Sequence, residues 1–384
     1  MVTQWKRWIP AGVASVVVAG VAIAVPLSAN ATAALPSKTA EQVIALVTNS
    51  SVTAFSGTVQ QSSNLGLPSL PAGASSSLGS SSTATPGATA STGGSGSTSS
   101  ADISSALELL TGSHTARVYV DGPTNVRVQV LDQLAERDVI RGGTDLWAYD
   151  SSKQTAVHST LPAKSDSTAT PTPTDTATPD QLAQKFLDAV DPSTGVAVGG
   201  DVTVDGRSAY DLVLTPATTD SLVGNVSIAV DSATGLPLQV EVTAKGASDP
   251  AFSSELTGLS LDTPSADLFS FTPPAGTAVT EKTLSAPDPS ATADSKAKAA
   301  AAAKPVVTGT GWSSIVELPA ASGSDAAALT SNPLVAQLTT PVTGGRLLST
   351  TLVNVLLTTD GRVFAGSVSA EQLEAAAAAT PAAQ

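Results

Sequence analysis

Hydrophobic and polar positions change their spacing several times along the 384-residue chain, and each change marks an element. Thr39-Ala40-Glu41-Gln42 forms a capping box, and Val43, Ile44, Leu46 and Val47 behind it recur on one face of a helix. Thr178-Pro179-Asp180-Gln181 repeats the device with proline at the first helical position, Leu182, Phe186, Leu187 and Val190 share a face, and Asp191-Pro192 ends the run. A shorter helix is expected from Ile103 to Leu110 behind Asp102. Elsewhere the period is two. Val118 and Val120, then Val126, Val128 and Val130, alternate with polar neighbours, and strands are expected at Asp138 to Arg141, Leu146 to Asp150 and Thr155 to His158. After the second helix come Val196 to Val204, Ala209 to Thr215, Val226 to Asp231, Leu236 to Lys245, Glu255 to Leu261 and Phe269 to Thr272. Asp121-Gly122-Pro123, Gly142-Gly143, Asp205-Gly206 and Thr234-Gly235 punctuate them as turns, so the strands form an antiparallel meander with one apolar face for about three helices to cover.

Three stretches hold too few apolar residues to pack: 68–100, 163–177 and Glu281 to Lys304. The first two interrupt a domain, because strand-like segments resume beyond them, and the third separates two modules. The organisation expected is a domain over 34–280 with disordered insertions, a disordered linker over 281–305, a small module over 306–376, and a tail over 377–384. In the second module Trp312 to Leu318 and Leu347 to Leu357 read as strands, Asp360-Gly361 as a tight turn, Arg362 to Val368 as a partner strand, and Ser369-Ala370-Glu371-Gln372 as the cap of a closing helix.

Composition narrows the class. The chain has no cysteine, which removes disulfides, thiolate metal sites and a cysteine nucleophile. Lys6 and Arg7 precede an apolar run from Ile9 to Leu27, and Ala29-Asn30-Ala31 or Ala31-Thr32-Ala33 offers a small-residue cleavage site, so residues 1–33 read as an export signal. The alternative is a retained membrane anchor with Trp5 and Trp8 at the interface; either places the rest outside the cytoplasm. The formal net charge of −14 argues against nucleic acid, whose binding rests on Lys and Arg. A monomer is expected.

Catalytic and metal signatures are missing from the sequence. His114 and His158 stand in no metal or triad spacing and read as solvated strand-end residues, and Asp145, Asp150, Asp201 and Asp205 read as water-facing carboxylates at strand ends. No cofactor is expected, and no catalytic or metal-binding residue is assigned. The most distinctive local pattern is Asp145-Leu146-Trp147-Ala148-Tyr149-Asp150, which puts two large aromatics on one face of a strand in a chain only 3% aromatic. They either fill a core or wall a cavity under the helices.

Taken in order, the export signal, the amphipathic helix, Phe55-Ser56-Gly57-Thr58-Val59-Gln60, the run from Gly142 to Asp150, the covering helix and Phe269-Ser270-Phe271-Thr272-Pro273-Pro274-Ala275-Gly276 resemble the LolA lipoprotein-carrier family over about two-thirds of the chain. That resemblance implies an α+β fold: a curved antiparallel sheet, an unclosed half-barrel, lidded by about three helices around an apolar cavity for acyl chains, with no catalytic group. Candidate wall residues are then Phe55, Val118, Val128, Trp147, Tyr149, Leu212, Ile228, Val240 and Phe271. Gly311-Trp312-Ser313-Ser314-Ile315-Val316-Glu317-Leu318-Pro319 is similar to the start of the added domain in the related RseB and MucB regulators, which implies as the alternative a module that binds the outer part of a transmembrane anti-sigma factor. Carriers of this family place an arginine before the proline of the early strand pair. Asp121-Gly122-Pro123 stands there instead, so their opening cycle does not transfer. The Ser/Gly insertions and the Ala/Thr-rich composition point to an actinobacterial-type member.

Overall fold

A computed structural model describes residues 35–67, 112–131, 135–161, 178–190, 192–283, 305–318 and 333–379. The export segment, the helix expected at Ile103 to Leu110, and the insertions 68–100 and 163–177 lie outside the described residues. Helix α1 (Ala40–Thr48) begins as its capping box dictates: Thr39 Oγ1 accepts from the Gln42 backbone N–H, and Gln42 Oε1 accepts from that of Thr39. Helix α2 (Pro179–Asp188) starts the same way on Thr178 and Gln181. Each cap satisfies otherwise orphaned donors and is worth about 1 kcal/mol.

Twelve strands form one sheet: β1 (Ala54–Ser63), β2 (Gly112–Asp121), β3 (Asn125–Leu131), β4 (Glu136–Gly142), β5 (Asp145–Asp150), β6 (Thr155–Thr160), β7 (Thr194–Val204), β8 (Arg207–Pro216), β9 (Val223–Asp231), β10 (Pro237–Ala244), β11 (Pro250–Ser260) and β12 (Ala278–Thr283). Their spatial order is β12-β6-β5-β4-β3-β2-β1-β11-β10-β9-β8-β7. Every pairing is antiparallel except β12 with β6. Among the described residues β12 and β7 are the two free edges, so the curved sheet is unclosed, as the α+β half-barrel reading required. Asp205 and Gly206, both at positive φ, make the two-residue turn from β7 to β8 that matches the twist of the strands.

Three segments depart from the sequence reading. Phe269 to Thr272 is no strand: Ala266–Phe269 is a 3-10 turn, the chain then runs extended without a ladder partner, and the last strand of the sheet is β12. Glu281 to Thr283, expected in the linker, are the end of that strand. Leu347 to Leu357 is likewise not one strand. Thr350 Oγ1 accepts from the backbone N–H groups of Leu352 and Val353, which folds the run into a hairpin.

That hairpin belongs to a second sheet, β13 (Val306–Thr308), β14 (Ile315–Leu318), β15 (Thr340–Val342), β16 (Gly345–Ser349), β17 (Asn354–Thr358) and β18 (Val363–Gly366), ordered β13-β14-β18-β17-β16-β15. Helix α3 (Pro333–Leu338) precedes β15, and helix α4 (Ala370–Ala379) closes the module. Leu347, Leu356, Phe364 and Leu373 form its core. The module is docked onto the large sheet. Leu352, at the tip of the β16–β17 hairpin, is only 7% exposed and joins the core that holds Val43, Leu212 and Ile228. Trp312 donates its indole N–H to Thr194 Oγ1 at 2.9 Å and stacks on Phe186 of α2.

Candidate functional site

Register across the large sheet decides which candidate wall residues share a face, because directly paired residues point the same way. Phe55 pairs with Val120, Val120 with Val126, Val126 with Arg141, Arg141 with Leu146, and Leu146 with Ser159. The next row runs Gly57, Val118, Val128, Val139, Ala148 and Val157. On the other side of β1, Ser254 pairs with Val240, Val240 with Ile228, and Ile228 with Leu212. Val59 and Gln61 pair with Leu256 and Ser254, which carries the same face across β1. Six of the nine candidates, Phe55, Val118, Val128, Leu212, Ile228 and Val240, therefore line one face.

That face is the one the helices cover. Val43 and Val47 of α1 and Ala183 of α2 are buried with Leu212, Ile228 and Val240, so from β7 to β10 the face is filled by helix side chains. Towards β6 the cover changes. Val126, Val139, Leu146 and Val157 lie along this part of the face, where Val126, Leu146 and Val157 are only half-buried and Ala148 is exposed. In the same rows Val118, Val128, Arg141 and Ser159 are buried, so accessible surface on this part of the face centres on Ala148 with Leu146 and Val157 beside it.

Trp147 and Tyr149 do not belong to this wall. Trp147 pairs with Ile140 and His158, Tyr149 with Asp138 and Ala156, and Ala148 between them faces the helices, so both aromatics stand on the opposite side. Phe271 joins them there, its ring 5.4 Å from each. Period-two spacing ties Trp147 to Tyr149; only pairing through four strands reveals which side they take. The segment carrying Phe269 and Phe271 straps across this outer face. Gly142 is required at the crossing, since a Cβ there would lie 2.4 Å from the Phe269 carbonyl oxygen, and Arg127 reaches the Leu268 carbonyl oxygen at 3.5 Å. The two most distinctive runs of the sequence are therefore two sides of one contact. A hollow of about 410 Å³ lies beside it, lined by Asn125, Asp145, Trp147, Phe269 and Phe271.

Charged groups under the strap are tightly partnered. The His158 ring stacks on Trp147 at 4.2 Å, its Nδ1 lies 2.8 Å from Glu281 Oε2, and its Nε2 lies 3.0 Å from Asp145 Oδ1. Desolvation works against the charged imidazolium, yet the two carboxylates outweigh it and hold the His158 pKa above its ordinary value. Burial pushes the Asp138 carboxyl up to about 6, with Glu136 adding to the rise and the Arg127 guanidinium, 2.5 Å away, opposing it. His158 is thus a bridging residue rather than a solvated strand end, and His114 is buried. Among the carboxylates expected to face water, Asp150 caps the β5–β6 turn through Ser152 and Lys153, Asp201 accepts from the Leu35 backbone N–H, and Asp205 accepts from that of Gly258. Among the described residues no group of three His, Asp or Glu could hold a metal ion.

Arg141 is the residue that the sequence reading passed over. It is the one charge in the two apolar rows, and its signal was visible in the alternation that places it on the side of Val139. The residue is 5% exposed, Nε donates to the Gly143 carbonyl oxygen at 3.3 Å, and the buried Nη1 has no acceptor.

An unclosed antiparallel sheet with helices on one face defines this chain as a half-barrel protein of α+β class. The family described as "Predicted periplasmic protein (DUF2092)" matches residues 94–281, just under half of the chain. No curated protein matches the sequence. Among solved structures, the Pseudomonas aeruginosa MucA/MucB complex is similar at 15% identity and a TM-score of 0.40, covering 88% of this chain and 96% of that one. A LolA superfamily protein from Nitrosomonas europaea is similar at 12% identity and a TM-score of 0.24, covering 61% and 99%. An uncharacterized conserved protein from Thermus thermophilus is similar at 12% identity and a TM-score of 0.32, covering 63% and 99%. No helix among the described residues is long and apolar enough to cross a membrane.

Proposed function

We propose that this chain is a non-enzymatic extracytoplasmic binding protein, a carrier or sensor, that shelters acyl chains of a lipid or lipoprotein against the helix side of its large sheet. The observation that carries the reading is the part of that face on β5 and β6, where Ala148 is exposed and Leu146 and Val157 are half-buried, beside a part that α1 and α2 close. Removing a methylene from water yields ~0.8 kcal/mol, so an alkyl chain laid along these rows binds without any catalytic group. Protein purified without detergent is expected to take up a fluorescent fatty acid, and Val157→Glu to weaken uptake at least tenfold while circular dichroism stays native. Absence of uptake by the unaltered protein sinks the proposal.

A second reading assigns the C-terminal module a membrane-protein partner. It is favoured by β13, an edge of the second sheet on which Val306 and Val307 are 51% and 60% exposed, beside Leu318 at 44%. An edge of this kind accepts an added strand. The test is titration with the extracytoplasmic segment of a transmembrane anti-sigma factor from the same organism: Val307→Lys should abolish binding and leave fatty-acid uptake intact, and no binding by the unaltered protein ends this reading.

A further inference from the structure

Arginines elsewhere in the large sheet show how this fold treats a partly or fully buried guanidinium. Arg127 pairs with Asp138 on the adjacent strand, and Arg207 is held by both oxygens of Asp231. Arg127 Nε and Asp138 Oδ1 are also without partners, but they belong to side chains whose other atoms bond each other. Arg141 is different. Its neighbours across β3 and β5 are Val126 and Leu146, the polar residue in its row is Ser159 two strands away, and no carboxylate pairs with it among the described residues. A buried, unpaired charge is costly unless something else supplies the counter-charge.

We infer that Arg141 anchors the headgroup of the bound molecule, and that the ligand is therefore an anionic amphiphile whose carboxylate or phosphate meets the guanidinium while its alkyl chain lies over Val139, Leu146, Ala148 and Val157. This rests on the acyl-chain reading above and sharpens it by assigning the class of lipid. Position supports it as much as charge. Arg141 is the last residue but one of β4, next to the Gly143 turn, so the anchor stands at one end of the strands. Val139 follows it on the same face about 7 Å along the strand, and Ala148 and Val157 continue that row sideways. Guanidinium suits this role because its planar fork receives two oxygens of one carboxylate or phosphate at once.

The experiment compares three single-chain probes with the same tail: palmitate, 1-palmitoyl-lysophosphatidate and 1-palmitoylglycerol. The full-length protein should bind at least one anion tenfold or more tighter than the neutral glycerol ester, and the two anionic arms separate a carboxylate site from a phosphate site. Arg141→Met should bring all three within about twofold and leave the neutral ester unchanged. Arg141→Lys should retain part of the preference. Because methionine removes an unmatched charge from an apolar row, the ligand-free Arg141→Met protein should also melt higher than the unaltered one. Equal binding of charged and neutral probes by the unaltered protein, or a preference that survives in Arg141→Met, overturns the anchor while keeping the acyl-chain reading. Failure of all three probes overturns both.

Discussion

Gly142, Asp138 and His158 show how much of the outer face is fixed by single residues. Gly142→Ala forces a Cβ into the Phe269 carbonyl, and relief of that overlap should cost about 2 kcal/mol, read as a lowered midpoint in urea. The two titrating groups act in the same direction. Asp138, ordinarily near 3.8, titrates at about 6 in the fold, so the folded state holds the extra proton and stability falls as pH rises from about 4 to 6. His158 is raised above 6.5, so the stability it contributes is complete below pH 6.5 and is lost as pH climbs through its folded value. These two groups should therefore pull the melting temperature down as pH rises from acid towards neutral, so that relative to the unaltered protein His158→Gln loses that pull in the upper part of the range and Asp138→Asn in the lower part. Profiles that coincide with that of the unaltered protein would remove these groups as its source. Trp147, turned away from the helix side, should keep its emission when fatty acid is added, which Trp312→Phe makes readable in a chain without its first 33 residues; a large shift would contradict the register.

Alternation made most elements legible because it records burial on one side of a pleat. It placed Phe55, Val118, Val128, Leu212, Ile228 and Val240 on strands that do share a face, and the capping residues fixed where α1 and α2 begin. It failed at Phe269 to Thr272 for an instructive reason. An extended segment that packs two aromatics downward has period two with or without ladder partners, so spacing cannot separate a strap from a strand. It also merged β16 with β17, since Thr350 and Thr351 look like ordinary strand residues until the Thr350 hydroxyl is seen to turn the chain. The hairpin they create carries Leu352 into the main core. Leu352→Ala should cost about 3 kcal/mol although its parent module is small, and the loss is measurable by denaturant unfolding.

At the scale of the molecule, the C-terminal module is joined to the half-barrel by packing as well as by sequence. Leu352 in the core, Trp312 against Phe186 and the backbone bond from Leu222 N–H to the Ser367 carbonyl oxygen couple the two sheets. Calorimetry should accordingly record one unfolding transition, and two well-separated ones would show that the contacts contribute little. Nothing in composition announced this docking, because Leu352 and Trp312 look like ordinary apolar residues of a self-contained module.

The segment 261–277 leaves β11 and reaches β12 at the far edge, crossing outside β3, β4 and β5 on the way. It is a hoop of fixed circumference around a sheet that is not closed by hydrogen bonds. The number of residues in that hoop limits how far apart β11 and β12 can lie, and so the curvature the intervening strands can adopt. On the acyl-chain reading proposed above, shortening it by two residues should narrow the range of fatty-acid lengths taken up, and lengthening it should admit bulkier or doubly acylated molecules, without a single change on the helix side of the sheet.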